Sequence, residues 1–151
     1  MTVVTEHLEQ LGIPFEVLPH PAATTANQEA LVLGESADEV VKTVVLDIET
    51  GHALAVLPAS RRVDVDLVRE ALNDDHARLA SEDELEHDFP EFELGAMPPL
   101  PSLLHIPVVI DPAVLEQERI TFAAGTQRES IRVSPEGLFK GATIEVAPIS
   151  R

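Results

Sequence analysis

The chain has 151 residues, an apolar fraction of 44% and a formal charge of −17, from 27 acidic against 10 basic side chains. This length suits one domain, residues 1–151, with a core of its own. The lack of cysteine excludes disulfides, thiolate catalysis and zinc–thiolate sites, and so acidic a surface repels nucleic acid unless a local basic patch intervenes.

Val4, Leu8 and Leu11 recur at helical spacing and predict a helix over 3–11, ended by Gly12. No basic region precedes a long apolar run, so no signal peptide is read. No later run reaches membrane-spanning length, and the expected location is the cytoplasm, with no membrane partner. Phe15 to Leu18 alternates as a short strand, and His20-Pro21 leads into a turn. Asn27 is the expected N-cap of a helix through Leu33, with Gly34 as its stop. Ser36 and Glu39 have capping-box spacing. A Val-rich strand from Val40 to Leu46, a turn at Thr50-Gly51 and a strand from Ala53 to Leu57 predict a hairpin.

Asp64 caps a helix bearing Leu67, Val68, Ala71 and Leu72, and Ser81 with Glu84 opens a short acidic helix. Pro98, Pro99 and Pro101 stiffen residues 95–102. Ile106 to Asp111 reads as a buried strand, Pro112 as the first position of a short helix, and Ile120–Ala123 and Glu129–Val133 as strands. Ser134-Pro135-Glu136 predicts a further helix start, and Ile144–Val146 a last strand. Short strands mixed with short helices argue for an α/β or α+β fold around a mixed, barrel-like sheet. Five Phe and no Trp or Tyr leave the core to Val, Leu, Ile and Ala.

Lys42 is the residue that points furthest toward chemistry. Side chains alternate along a strand, so Lys42 shares a face with Val40, Val44, Leu46 and Ile48, while Thr43, Val45, Asp47 and Glu49 point the other way. An ammonium on an apolar face loses hydration unless an anion or a polar cleft receives it; the alternative is a strand-end lysine that snorkels to water. The stretch from Gly34 to Lys42-Thr43 is not a phosphate-binding loop, because no Gly precedes the Lys and the Lys enters a strand. Gly95-Ala96-Met97-Pro98-Pro99 forms a second candidate. Proline donates no amide, so the donors are Gly95, Ala96 and Met97, a set able to cradle a carbonyl oxygen. As a loop alone it reads as a plain turn. Ala123-Ala124-Gly125 lets a ligand or a neighbouring strand come close. His20 either lines a cleft or bonds its own turn. The six histidines show no ligand spacing, so the expectation is no metal and no cofactor. Arg61, Arg62 and Arg69 near Lys42, or Arg128, Arg132 and Lys140, could supply a local basic patch.

In this order the pieces resemble one family. They are His20-Pro21 with Thr25; Lys42-Thr43 in a Val-rich strand; Val56-Leu57-Pro58-Ala59 before Val63-Asp64; Leu79-Ala80; the Gly95-x-x-x-Pro99 loop; Ile106 to Asp111; Ala124-Gly125; and Ile131-x-Val133-Ser134. The chain resembles the YbaK/EbsC aminoacyl-tRNA deacylases, which are related to the editing domain inserted in bacterial prolyl-tRNA synthetases. The resemblance implies an α/β fold with a mixed, barrel-like sheet flanked by helices. It implies metal-independent hydrolysis of the ester on a mischarged tRNA, of the proline-specific type. The partners are then the aminoacyl-tRNA acceptor end and, for delivery, an aminoacyl-tRNA synthetase, with no DNA. The attacking water is positioned partly by the tRNA's terminal ribose hydroxyl. The catalytic groups carried over are Lys42 and the backbone of Gly95, Ala96 and Met97. The substrate-binding positions are His20, Thr43, Pro98, Pro99, Ala124, Gly125 and Ser130. Some synthetase-linked relatives place a histidine shortly after the Ala-Gly pair, where this chain has Gln127, Arg128, Glu129 and Ser130. The rival reading is a non-catalytic regulatory or aminoacyl-binding module on the same fold, and a weaker third is a Schiff-base enzyme using Lys42.

Overall fold

Val-rich runs broken by tight turns set the sheets. A computed structural model describes residues 2–139 and 143–151. The strands are β1 (Phe15–Pro19), β2 (Val41–Ile48), β3 (Gly51–Pro58), β4 (Arg78–Leu79), β5 (Val108–Ile110), β6 (Ile120–Ala123), β7 (Glu129–Val133) and β8 (Ile144–Val146). The helices are α1 (Val3–Gln10), α2 (Ala26–Leu33), α3 (Val65–Leu72), α4 (Glu82–Asp88), α5 (Pro101–Leu104) and α6 (Pro112–Leu115). One antiparallel sheet runs β1-β7-β6, and a mixed sheet runs β4-β2-β3-β5-β8, with β3, β5 and β8 parallel. A parallel bridge between Val40 and Thr121 joins the two. The mixed α/β arrangement expected is present. The sheets do not close into a barrel, because β1 and β8 have a strand on one side only.

The two faces of the β2–β3 hairpin bury different clusters. Val41, Val45, Leu54 and Val56 pack between the sheets with Ile120, Phe122 and Ile131 and with Val4 and Leu8 of α1. Leu46, Ala53, Ala55 and Val109 pack under Val68 of α3 and Ile149. Phe122 is wholly buried, and truncating it to Ala is worth about 3–5 kcal/mol by the usual cavity arithmetic.

Most local stop and start signals hold. Asp64 accepts from the amides of Asp66 and Leu67, Ser81 and Glu84 form a capping box, and Asp111 caps α6 with Pro112 at its first position. Thr25, not Asn27, caps α2: its backbone is still extended and its hydroxyl takes the Gln28 amide. Ser134-Pro135-Glu136 does not start a helix. The chain turns there, Leu138 N–H bonding Pro135 C=O at 3.2 Å, and Leu138 and Phe139 are drawn into the core. Strand β4 and the single turn α5 are too short to carry a periodic signal.

Candidate active site

Lys42 lies on β2 opposite Leu57. Its face begins at Val40, which packs on Ala30 of α2 and Ala59, and continues to Leu46 under α3. The lysine is half-buried and makes no hydrogen bond or ion pair among the described residues. Burial, and then the Arg62 charge, hold its pKa below the usual lysine range.

Sheet register brings other candidates to the same face. Val40 bridges Thr121, so the next same-face positions on these strands are Lys42 and Ala123. Ala123 pairs with Ser130 on β7. Lys42, Ala123 and Ser130 therefore share one side of the joined sheet. Thr43 does not join them: its hydroxyl points to the opposite face, buried with no partner among the described residues. Alternation along the strand is the reason, and it separates this expected substrate contact from Lys42.

Ser130 is fully buried and sits in a polar chain. Its hydroxyl bonds the Glu29 carboxyl closely, and His20 Nε2 lies 2.7 Å from its Oγ. His20 Nδ1 lies 2.7 Å from the Pro21 carbonyl, which can only accept, so Nδ1 carries a proton. The single Ser130 hydrogen then leaves two arrangements. Either a protonated Glu29 donates to Ser130, which donates to neutral His20, or an imidazolium donates to Ser130, which donates to a Glu29 carboxylate. Both hold the same number of protons. His20 is thus tied both to its own turn and to Ser130.

Glu29 escapes a reading of local motifs, although the signal exists. It occupies the i+3 position of the stripe Ala26, Ala30, Leu33, where an apolar residue belongs. Burial raises its pKa to about 7; the Ser130 bond opposes that rise, and the Glu35 charge adds to it. Glu35 is itself paired with Arg132. A carboxyl whose folded pKa is raised stabilises the fold below its unfolded value of about 4.5, and this contribution fades as pH climbs through about 7. Glu29→Gln is expected to flatten that part of the curve. Urea unfolding at about pH 5 and about pH 8 should show a variant more stable than the parent by about 2–3 kcal/mol only at the higher pH. Parallel curves for the two proteins would mean that Glu29 does not titrate in this range.

The 93–99 loop is locked to its neighbours. Ala96 N–H donates to Glu93 C=O at 3.0 Å, and Ala96 C=O accepts from Gly125 N–H at 3.1 Å. Gln127 Nε2 donates to Leu94 C=O at 2.9 Å, and Ala23 N–H donates to Gln127 C=O at 2.8 Å. The expected three-amide cradle is corrected: the Ala96 amide is taken up by the Glu93 carbonyl, whereas the Gly95 and Met97 amides have no acceptor among the described residues. Pro98, Pro99, Ala124 and Gly125 are buried beneath this rim. Gly95 stands at φ +77°, and a Cβ there would fall 1.9 Å from the Thr24 carbonyl oxygen. Gly125 is needed against the Phe92 ring, 3.0 Å from where its Cβ would lie. Loops 20–25, 93–99 and 124–128 therefore meet. An open cleft of about 410 Å³, lined by Phe92, Glu93, Leu94 and Gln127, flanks them. Among the described residues, no group of three or more His, Asp or Glu side chains could hold a metal ion, and no helix is long and apolar enough to cross a membrane.

A family model for the aminoacyl-tRNA editing domain matches residues 20–140. The chain belongs to that family. The matched span holds Lys42, the 93–99 rim, Glu29 and Ser130. Among solved structures, this editing domain is similar to a hypothetical protein at 25% identity and TM-score 0.86, covering 98% of this chain and 99% of that one. It is also similar to a proposed trans-editing enzyme for prolyl-tRNA synthetase at 27% identity and TM-score 0.81, covering 98% and 94%. A third likeness, to a Marinobacter aquaeolei protein proposed to act in signal transduction, has 20% identity and TM-score 0.70 and covers 99% of this chain but 31% of that one. It shows the fold alone. No protein of curated function matches in sequence. The YbaK-type resemblance read from the residues is borne out.

Proposed function

We propose that this editing domain, acting as one unit over residues 1–151, is a cytoplasmic deacylase. It would hydrolyse the ester linking a wrong amino acid to proline-specific tRNA, in trans and without a metal. The observation that carries the reading is Lys42: a half-buried ammonium with no carboxylate partner among the described residues, inside the span that matches the editing family. Its proposed role is to hold the terminal phosphate or the ester oxygen as a point charge. The Gly95 and Met97 amides would receive the carbonyl oxygen as negative charge builds on it. The water would be oriented by the substrate's own ribose hydroxyl. The neighbour linked to prolyl-tRNA synthetase supports the choice of tRNA.

The test is amino-acid release from a panel of tRNAs charged with alanine, serine, threonine or cysteine. Turnover of a mischarged proline-specific tRNA is the expected result. Binding without release from any of them would favour the rival, a non-catalytic module, which the charge of −17 recommends because so acidic a surface is poorly suited to rapid tRNA capture.

A further inference from the structure

The basic residues are distributed unevenly. Arg69 pairs with Asp66, Arg78 with Asp47 and Glu84, Arg119 with Glu16, and Arg132 with Glu16 and Glu35. Arg69 and Arg132 are thereby removed from the basic patches expected of them, and Lys140 lies outside the described residues. Among the described residues, Lys42, Arg61, Arg62, Arg128 and Arg151 have no carboxylate at ion-pair distance. All of these but Arg128 gather at one end of the mixed sheet. Lys42 sits across from Leu57 on β3, and Arg61 N–H bonds the next residue's carbonyl, Pro58 C=O, at 3.1 Å. Arg62 and Arg151 exchange both backbone hydrogen bonds, at 3.0 and 2.9 Å. Arg61 Nη1 reaches Ser150 Oγ at 3.5 Å. Arg61, Arg62 and Arg151 are exposed.

The nearest acids are held by other donors, and Asp111 feels the Arg61 charge without forming an ion pair. Asp111 accepts from the Ile149 and Ala113 amides and the Ser150 hydroxyl. Asp64 caps α3, and Asp38 accepts from Ser60 at 2.6 Å. A chain with 27 acids thus leaves four cations together with no direct ion pair among the described residues. Like charges at short range repel, and Lys42 registers the repulsion, its pKa being lowered by burial and then by Arg62. An arriving anion relieves it.

We propose that Lys42, Arg61, Arg62 and Arg151 form a platform for the phosphodiester backbone of the tRNA acceptor end, the only broad invitation to RNA among the described residues of an otherwise repelling surface. The inference rests on the deacylase reading and extends it by naming the side from which substrate enters. Arginine forks match phosphate oxygens in pairs. RNA is favoured over an acidic peptide because the platform is continuous with Lys42.

The experiment measures deacylation of mischarged tRNA by Arg61→Gln/Arg62→Gln as a function of salt. Each lost single-strand phosphate contact should lower the slope of log(kcat/KM) against log[salt] by about 0.7, so the double variant should lose about 1.4. KM at low salt should rise about tenfold or more, with kcat at saturation nearly unchanged. Both side chains are exposed, so thermal unfolding should confirm an intact fold. Arg119→Gln, from a paired arginine elsewhere, is the control and should leave the slope alone. An unaltered slope and KM in the double variant overturn the platform while leaving deacylation standing. A parent that turns over no charged tRNA, yet binds uncharged tRNA with a salt slope the double variant loses, sinks the deacylase reading and keeps the platform. A polyglutamate peptide whose binding depends on Arg61 and Arg62, with tRNA unaffected, would assign the surface to a protein partner and also overturn it.

Discussion

Lys42→Met is expected to lower kcat/KM for a mischarged tRNA by about 10²–10³, the usual loss when a group stabilising developing charge is removed, while leaving the protein at least as stable as the parent. The two effects point in opposite directions for one physical reason. The ammonium is half-buried on an apolar face, next to Arg62 and without a counter-charge among the described residues. Methionine keeps most of the volume and removes both the desolvation and the repulsion. A lysine retained only to cover the strand end would behave differently, since its loss would change neither activity nor stability by much. Lys42→Arg keeps the charge but spreads it over a wider fork, and should recover part of the activity at most. Deacylation rates and urea midpoints on the same preparations decide the matter. Parent-level turnover by the methionine variant would end the assignment of this site.

Gly95→Ala should be the most damaging alanine substitution among Gly12, Gly34, Gly51, Gly95 and Gly125. The backbone is left-handed at φ +77°, where a side chain costs about 1–2 kcal/mol. The added carbon would also fall 1.9 Å from the Thr24 carbonyl oxygen, a backbone atom that cannot rotate away. Loop 93–99 and the segment leading into α2 must then part. That movement displaces the Gly95 and Met97 amides, so on the proposed role of those amides activity should fall together with stability. Gly12→Ala is the comparison: φ is +71°, but nothing lies within 4 Å of the new carbon. The alanine at 12 should show only the conformational penalty, and the difference in unfolding free energy between the two variants measures the collision. Equal losses would mean that loop 93–99 yields freely and that the close approach has no energetic consequence.

Much of what depends on neighbours within a few residues was legible in the sequence, although the cap of α2 is Thr25 and not the expected Asn27. Strict alternation along an extended chain put Lys42 on the face of Val40, Val44 and Leu46, and the clusters under α2 and α3 agree. Asp64 and Ser81 were recognisable as caps because a capping side chain reaches only two or three residues forward. Even Thr43's separation from Lys42 follows from that alternation, against the role the resemblance suggested for it. The failures began where local preference is weak. Ser134-Pro135-Glu136 has the chemistry of a helix start, but Leu138 and Phe139 gain more by turning into the core.

Long-range partners were decided by packing alone. Ser130 meets Glu29 across 101 positions, and Arg62 meets Arg151 through backbone bonds that no spacing announces. Ala96's amide looked available in the loop and proved to face Glu93. Helices and strands can be laid against one another in many registers without altering their internal periodicity. Which buried carboxyl finds a hydroxyl, and which cations are left without acids, is settled only when the faces are brought together and each polar group must find a partner or keep its water.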